Sequence, residues 1–446
     1  MSERNKHFVA VIGAGPAGLF GARELANQGM QVVLFNRDIK PGGLAEYGIY
    51  PDKHTMKDGL RKQFRQVLDN ENITYYGNVK IEAKGDLTLD DLRALGFQAI
   101  LVTVGAQGTK WLGLPGEDLK GVYHAKDIVY FYNKLPPYSL KKFHFGKRCA
   151  IIGAGNVMVD VARFLIRKIK ADEVVSVVRR GPNEVNFTKE EMKHIIANLD
   201  LTAFDREMTR VLPMLQAVDQ DPELGRSKVL DALAKAEPKL GDAHFRFEFL
   251  SSPVQMLGEN GTVNRLEVED NVLMIKDGEL KSRGTGHKRT LEVDTVVFAI
   301  GDKVDESFGL PVASNEFIKN PAPRFPEENH SYEAFDPKTN SLIPDVFVGG
   351  WSRQASEGLV GLARKDGINA SRAVLQYLQT VPSVTPNLGG VADKMKNLPG
   401  PVITKAEVKK LEAIEEAEAQ KRGLEEFKFT TNEEMLQAIG LAEVTA

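Results

Sequence analysis

Phe8-Val9-Ala10-Val11-Ile12 running into Gly13-Ala14-Gly15-Pro16-Ala17-Gly18 is the stretch that decides the fold. Five apolar residues suit a strand buried on both faces. The three glycines in G-x-G-x-x-G spacing provide a tight turn, close backbone approach to a pyrophosphate and close helix–strand packing. Free amides at the start of the next helix then face the ligand. Ala17, Gly21, Ala22 and Leu25 fall on one helical face, Gly29 can end the helix, and Gln31-Val32-Val33-Leu34-Phe35 reads as the next strand. This is a βαβ start with a dinucleotide fingerprint. Where an acidic side chain usually grips a ribose hydroxyl, at the end of the second strand, the chain carries Asn36, then Arg37 and Asp38. Asn36 can still hydrogen-bond a hydroxyl, without the charge.

A second fingerprint follows at Cys149-Ala150-Ile151-Ile152-Gly153-Ala154-Gly155-Asn156-Val157-Met158. Its third glycine position is Met158, which sets the helix slightly further from the sheet. Met158, Val161, Ala162 and Leu165 share one face of that helix, with Arg163, Arg167 and Lys170 on another. The strand after it, 174–178, ends in Arg179-Arg180-Gly181. A carboxylate there favours the free ribose hydroxyl of NAD, whereas guanidinium groups pair with the extra phosphate of NADP in fork-shaped contacts. At roughly 1.5–3 kcal/mol per hydrogen bond to a charged group, two such contacts support a preference of order hundreds-fold.

The 446 residues exceed what one core holds, so at least two domains are expected. Hydrophobic content of 42%, 27% charged residues and a net charge of −3 describe a globular protein without the basic excess of a nucleic-acid binder. Cys149, the single cysteine, excludes an internal disulfide, a CxxC redox pair and a cysteine-ligated cluster within the chain. Redox chemistry therefore needs a bound cofactor, and no metal site is expected. The first strand begins within a few residues of Met1 and no apolar run reaches membrane-spanning length, so the expectation is a cytoplasmic protein without a leader.

Between the fingerprints, Pro41-Gly42-Gly43-Leu44-Ala45-Glu46-Tyr47-Gly48-Ile49-Tyr50-Pro51-Asp52 is a loop that can lie flat against a planar ligand. A helix over 57–68, a strand over 73–81 and a buried strand over 99–106, ending at Gly105, complete the first domain's predicted elements. Further strands are expected at 245–250, 263–268 and 291–301, with a basic hairpin tip at 281–289. A strand ending in Gly349-Gly350-Trp351 is expected to rejoin the first domain. Gly358-Leu359-Val360-Gly361 opens a helix with Ala363, Gly367, Ala370, Val374 and Leu378 inward. In the tail, Thr404 with Glu407 and Thr431 with Glu434 form capping-box patterns ahead of charged helices, which read as packing rather than chemistry.

Five segments together resemble the adrenodoxin-reductase type of NADPH:ferredoxin reductase, within the FAD-dependent pyridine nucleotide oxidoreductases. They are Val11 to Gly18, the loop Gly43-Leu44 to Pro51-Asp52, Gly153 to Arg163, Arg179-Arg180-Gly181-Pro182 with Phe187-Thr188, and Gly350-Trp351 to Gly358. The resemblance implies an α/β protein of two Rossmann-like, three-layer nucleotide-binding domains, the NADP domain inserted in the FAD domain. The boundaries expected are 1–107 and 304–446 for FAD, the latter with a helical tail, and 108–303 for NADP. Around FAD it implies Gly13, Gly15, Pro16, Ala17, Gly18, Asn36, Gly43, Leu44, Gly48, Ile49, Gly105, Trp351, Gly358, Leu359 and Val360. Around NADPH it implies Gly153, Gly155, Asn156, Val157, Arg179, Arg180 and Glu191, and it offers Asp160 and Trp351 as catalytic candidates. The family's Pro-Asp-His at the loop end is Pro51-Asp52-Lys53 here, with His54 one place later.

The implied reaction is hydride transfer from NADPH to FAD, then release of single electrons to a ferredoxin- or flavodoxin-like carrier. Such carriers are generally acidic, so a local basic docking patch is expected, with Arg163, Arg167, Lys168 and Lys170 as candidates. Neither nucleic acid nor membrane is expected as a partner. Two alternatives stay open: an NADPH-dependent flavoprotein reductase or oxygenase of a small organic substrate, and a flavin- and NADP-binding subunit of a larger redox complex.

Overall fold

A computed structural model describes residues 6–355 and 360–442. The chain divides into two compact units, one made of residues up to Thr109, Tyr130–Leu140 and the chain from Gly301 onward, the other of Lys110–Val129 and Lys141–Ile300.

The first unit is built on a six-stranded sheet in the order Glu333–Asp336, Ser341–Val348, Ala99–Val102, Phe8–Ile12, Gln31–Phe35, Ile73–Tyr76. All neighbours run parallel except the Glu333–Asp336 edge. Alternation assigns the side chains of the central strand to two faces. Val9 and Val11 join Leu34, Leu101 and Phe347 under the helices Pro16–Asn27, His54–Leu68 and Val360–Leu378. Phe8, Ala10 and Ile12 join Val33, Phe35, Ile100 and Val348 in a second core with Phe97, Phe308 and Phe317. Because Phe8–Ile12 pairs with Gln31–Phe35 on one side and Ala99–Val102 on the other, its carboxyl end is a switch point where the chain leaves in both directions.

The second unit carries a five-stranded parallel sheet ordered Val122–His124, Thr295–Phe298, Arg148–Ile152, Glu173–Val177, His244–Glu248. An antiparallel ribbon of Ser251–Glu259, Thr262–Lys276 and Glu279–Glu292 packs Met256, Val263, Leu266, Val268 and Leu291 onto one face of that sheet. Both units are thus α/β layers around parallel sheets, as the two fingerprints require.

The basic hairpin tip expected at 281–289 is corrected: those residues lie within the Glu279–Glu292 strand. The reversal occurs instead at Asp277-Gly278, with φ of 55° and 76°, the Asp-Gly pair that tight hairpins favour. The strand expected over 73–81 stops at Tyr76, since Gly77 and Asn78 leave the sheet and Asn78 adopts φ 57°. Both tail capping boxes form, at Thr404–Glu407 and Thr431–Glu434.

Candidate functional site

In the first unit the fingerprint glycines divide into two kinds. A methyl group on Gly13, at φ +101°, would lie 2.6 Å from the Thr103 carbonyl oxygen, and one on Gly18 would lie 1.8 Å from that of Gly13. Both therefore serve the fold. Gly15 differs, because a methyl group there meets nothing within 4 Å. It caps the Pro16–Asn27 helix without a side-chain acceptor, leaving the first-turn amides of Ala17 and Gly18 available for an anion. Room for a ligand beside unsatisfied donors is the arrangement a pyrophosphate fits.

Three braces hold this turn. Gly13 donates to the Phe35 carbonyl at 2.8 Å, and Thr103 Oγ1 lies 2.9 Å from the carbonyl oxygens of both Ile12 and Gly13. Asn36, 6% exposed, accepts from the Ala14 amide at 3.0 Å and donates through Nδ2 to the carbonyls of Asp38 and Lys40. Its amide is thus committed to joining the fingerprint to the residues after the second strand.

Other expected residues converge on the same turn. Gly42 donates to the Ala14 carbonyl at 2.7 Å, and Gly43, at φ +50°, is so close to Gly15 that a methyl group would lie 3.1 Å from its Cα. In the loop that follows, Gly43, Leu44, Gly48 and Ile49 are partly exposed while Ala45, Glu46 and Tyr47 are buried. Gly105, at φ +71°, donates to Ser352 Oγ at 2.9 Å. A methyl group on Gly350 would lie 2.6 Å from Ala17 Cβ, which sets the half-buried Trp351 turn beside the cradle. That turn is fixed by Asp366, which accepts from the Gly350 amide at 2.6 Å, from Arg353, and from Tyr332 Oη at 3.2 Å. Val360 begins the described helix. Gly358 and Leu359 lie outside the described residues.

The second unit repeats the division. Gly153, at φ +132°, donates to the Val177 carbonyl at 3.0 Å, and a methyl group on it would lie 2.3 Å from the Ala299 carbonyl oxygen. Around Gly155 there is again nothing within 4 Å, and it too caps its helix, Asn156–Phe164, without a side-chain acceptor. Asn156 Oδ1 accepts from the Thr188 amide at 2.8 Å, which sets the short Lys189–Met192 helix bearing Glu191 against the helix start. Val157 is 45% exposed and Met158 is buried, so the missing third glycine is absorbed by the core. Asp160 is half-buried one turn further along. Arg179 and Arg180 are exposed just past the Glu173–Val177 strand, and neither guanidinium joins an ion pair among the described residues. Their backbone is held by Leu250, donating to the Arg180 carbonyl at 3.0 Å, and by Asn271 on that of Arg179.

One expected patch residue is corrected. Arg163 is 5% exposed and reaches Glu237 at 3.6 Å, while Arg167 is half-buried and Lys168 and Lys170 are exposed. Among the described residues no group of acidic, histidine and cysteine side chains could hold a metal, and no helix is long and apolar enough to cross a membrane.

Comparison with known proteins agrees with this geometry. A family model described as pyridine nucleotide-disulphide oxidoreductase matches residues 7–200. The chain is 28% identical over 429 residues to NADPH-ferredoxin reductase FprA of Mycobacterium leprae, covering 89% of this chain and 87% of that protein. It is also 28% identical to the mitochondrial NADPH:adrenodoxin oxidoreductase of Arabidopsis thaliana, covering 80% and 79%. The solved His57Gln mutant of FprA from Mycobacterium tuberculosis superposes with a TM-score of 0.82 at 25% identity, over 98% of this chain and all of that one. The resemblance to the adrenodoxin-reductase type is borne out. The residues of the site that sequence reasoning missed are Thr103, Ser352, Arg353 and Asp366. Thr103 and Ser352 act on partners 90 and 247 residues away, and Arg353 and Asp366 on each other across 13 residues, spacings that no local pattern marks.

Proposed function

We propose that the protein is an FAD-dependent NADPH:ferredoxin reductase, with FAD held by the first unit and NADPH by the second. The observation that supports this most is the pair of cradles in which Gly15 and Gly155 alone among the strict fingerprint glycines face open space at a helix start. When bound, FAD supplies the conversion of a two-electron hydride donor into a source of single electrons.

The chain's own residues bind and orient. Ala17 and Gly18 offer amides to the FAD pyrophosphate, while Gly43, Leu44, Gly48 and Ile49 provide a thin, partly exposed ribbon for a planar ring, with Trp351 and Val360 completing the wall. Asn36 holds the cradle's shape rather than reaching outward. In the second unit Arg179 and Arg180, exposed and without an ion pair among the described residues, suit the 2′-phosphate of NADPH. Asn156, Val157 and Glu191 border the pyrophosphate end, and Asp160 and Trp351 remain the catalytic candidates. No protein nucleophile is required, since position and electrostatics supply the catalysis. The lone buried Cys149 leaves no internal disulfide to receive the electrons, which favours an external carrier. Lys168 and Lys170, with Arg167, form the basic docking surface for an acidic ferredoxin or flavodoxin, and the reduced cytoplasm is the compartment this thiol usage suits.

Steady-state NADPH oxidation with purified ferredoxin, against a quinone and against oxygen alone, tests the reading. Ferredoxin is expected to be the preferred acceptor. Faster turnover with the quinone and none with ferredoxin would favour a reductase of small organic molecules.

A further inference from the structure

The Gly43–Ile49 ribbon is held from behind by a buried cluster of charges that reaches it from the far end of the chain. Glu46, 3% exposed, accepts from Arg61 Nε and Nη2 at 2.7 Å each, and pairs with Lys428 Nζ at 2.9 Å and Lys40 Nζ at 3.3 Å. Lys428 also donates to the Glu46 main-chain carbonyl at 2.8 Å and lies 4.8 Å from the centre of the Tyr47 ring. The same tail segment sends Glu426 to Lys57 at 2.8 Å and to Arg61, and Glu425 to His54 at 2.7 Å. Glu415, on the Lys405–Arg422 helix, meets Lys40 at 2.5 Å. A strap of tail residues thus grips Glu46 and Tyr47, which are buried where Gly43, Leu44, Gly48 and Ile49 are partly exposed.

The composition of this cluster argues against a purely stabilising role. Lys40, Lys57, Arg61 and Lys428 face Glu46, Glu415 and Glu426, and the fourth carboxylate, Asp58 on Arg61 at 3.3 Å, is exposed rather than enclosed with them. Burial pushes the Lys428 ammonium down to about 8 despite Glu46. A buried ion whose desolvation is not fully offset weakens the fold, and specific placement is what such groups can provide instead. Here the placement falls on the backbone of the loop: Glu46, Tyr47 and Gly48 amides close the short Leu44–Tyr47 helix onto Gly43 and Leu44, and Lys428 binds the carbonyl at its end.

We propose that Lys428 is a positioning residue for the flavin ring, acting through Glu46 and its carbonyl to set the place of the Gly43–Ile49 ribbon against the Gly15 cradle. This rests on the reading that FAD occupies that cradle.

The test compares Lys428→Met, Lys428→Arg and Glu46→Gln in the full-length protein, each with FAD bound and after its removal. In Lys428→Met, amide exchange at residues 46–48 should accelerate while exchange in the Thr262–Lys276 strand stays unchanged and the melting temperature does not fall. The FAD dissociation constant should rise about tenfold, and the visible circular dichroism of the bound flavin should change. Lys428→Arg should restore part of both, and adding Lys428→Met to Glu46→Gln should add little. The proposal is overturned if exchange at 46–48 and the flavin signal match the parent protein, or if exchange rises everywhere with a falling melting temperature. A parent protein that takes up no FAD would instead refute the cofactor reading, and the exchange data on the flavin-free chain would still judge the strap.

Discussion

Replacing Gly15 and Gly18 by alanine, one at a time, should separate binding from folding. Gly18 has no room: its methyl group would lie 1.8 Å from a backbone oxygen, so helix and strand must part. Overpacking of this kind costs roughly 1–3 kcal/mol or more, and Gly18→Ala should melt early whether or not flavin is present. At Gly15 the backbone is extended, at φ −77°, and a methyl group meets no protein atom within 4 Å. Folding of Gly15→Ala should therefore be unharmed, or improved by about 0.4–1 kcal/mol through a less flexible unfolded chain. The methyl group nevertheless stands where a pyrophosphate must approach. Losing two hydrogen bonds to charged oxygens, at roughly 1.5–3 kcal/mol each, would weaken FAD by a factor of order 10² to 10⁴. Thermal melts of the flavin-free chains and titration with FAD measure the two effects independently. The reasoning is refuted if Gly15→Ala binds FAD as the parent does, or if it loses FAD only because it no longer folds.

Changing both Arg179 and Arg180 to alanine should raise the KM for NADPH by order hundreds-fold with little effect on NADH, and equal effects on both nucleotides would remove the phosphate assignment. Charge reversal at Lys168 and Lys170 should slow ferredoxin reduction roughly tenfold at low salt and flatten its salt dependence, whereas an unchanged salt profile would place docking elsewhere. Burial pushes the Glu426 carboxyl up, but Lys428, Lys57 and Arg61 outweigh it and hold it at about 2, against an ordinary 4.5. Its contribution, about 3 kcal/mol, is present above the ordinary value and fades as pH falls towards 2. Urea midpoints of Glu426→Gln should accordingly show a shallower decline than the parent as pH falls from about 4.5 towards 2; identical slopes would contradict it.

What could be read from the sequence is what short-range pattern determines. Strand, glycine spacing and helix face lie within a few residues of one another, so both fingerprints and both tail capping boxes were legible. Braces made across the chain were not. Thr103 reaches Gly13 and Asp366 reaches Gly350 only after the sheet assembles, and Lys428 meets a loop 382 residues earlier. Polarity alone also misled in two places. The lysines and arginines of 281–289 suggest an exposed turn, yet the chain turns at Asp277-Gly278 because backbone geometry, not charge, selects that site. Arg163 sits on a helix face with Arg167 but is buried, with its guanidinium 3.6 Å from the Glu237 carboxylate. The tail's charged helices read as packing, but which charges they meet was not legible, since the residues that neutralise Glu425, Glu426 and Lys428 lie between His54 and Arg61 or at Glu46.

The central claim is that one chain holds a flavin and a nicotinamide nucleotide and passes electrons onward to a carrier protein. Anaerobic titration of the purified protein with NADPH, followed by addition of oxidised ferredoxin, tests it most directly through the visible spectrum. The account predicts a coloured protein that bleaches with NADPH far faster than with NADH and recovers its colour as ferredoxin is reduced. A colourless protein that refuses added FAD, or a bound flavin that NADPH leaves oxidised, would contradict it.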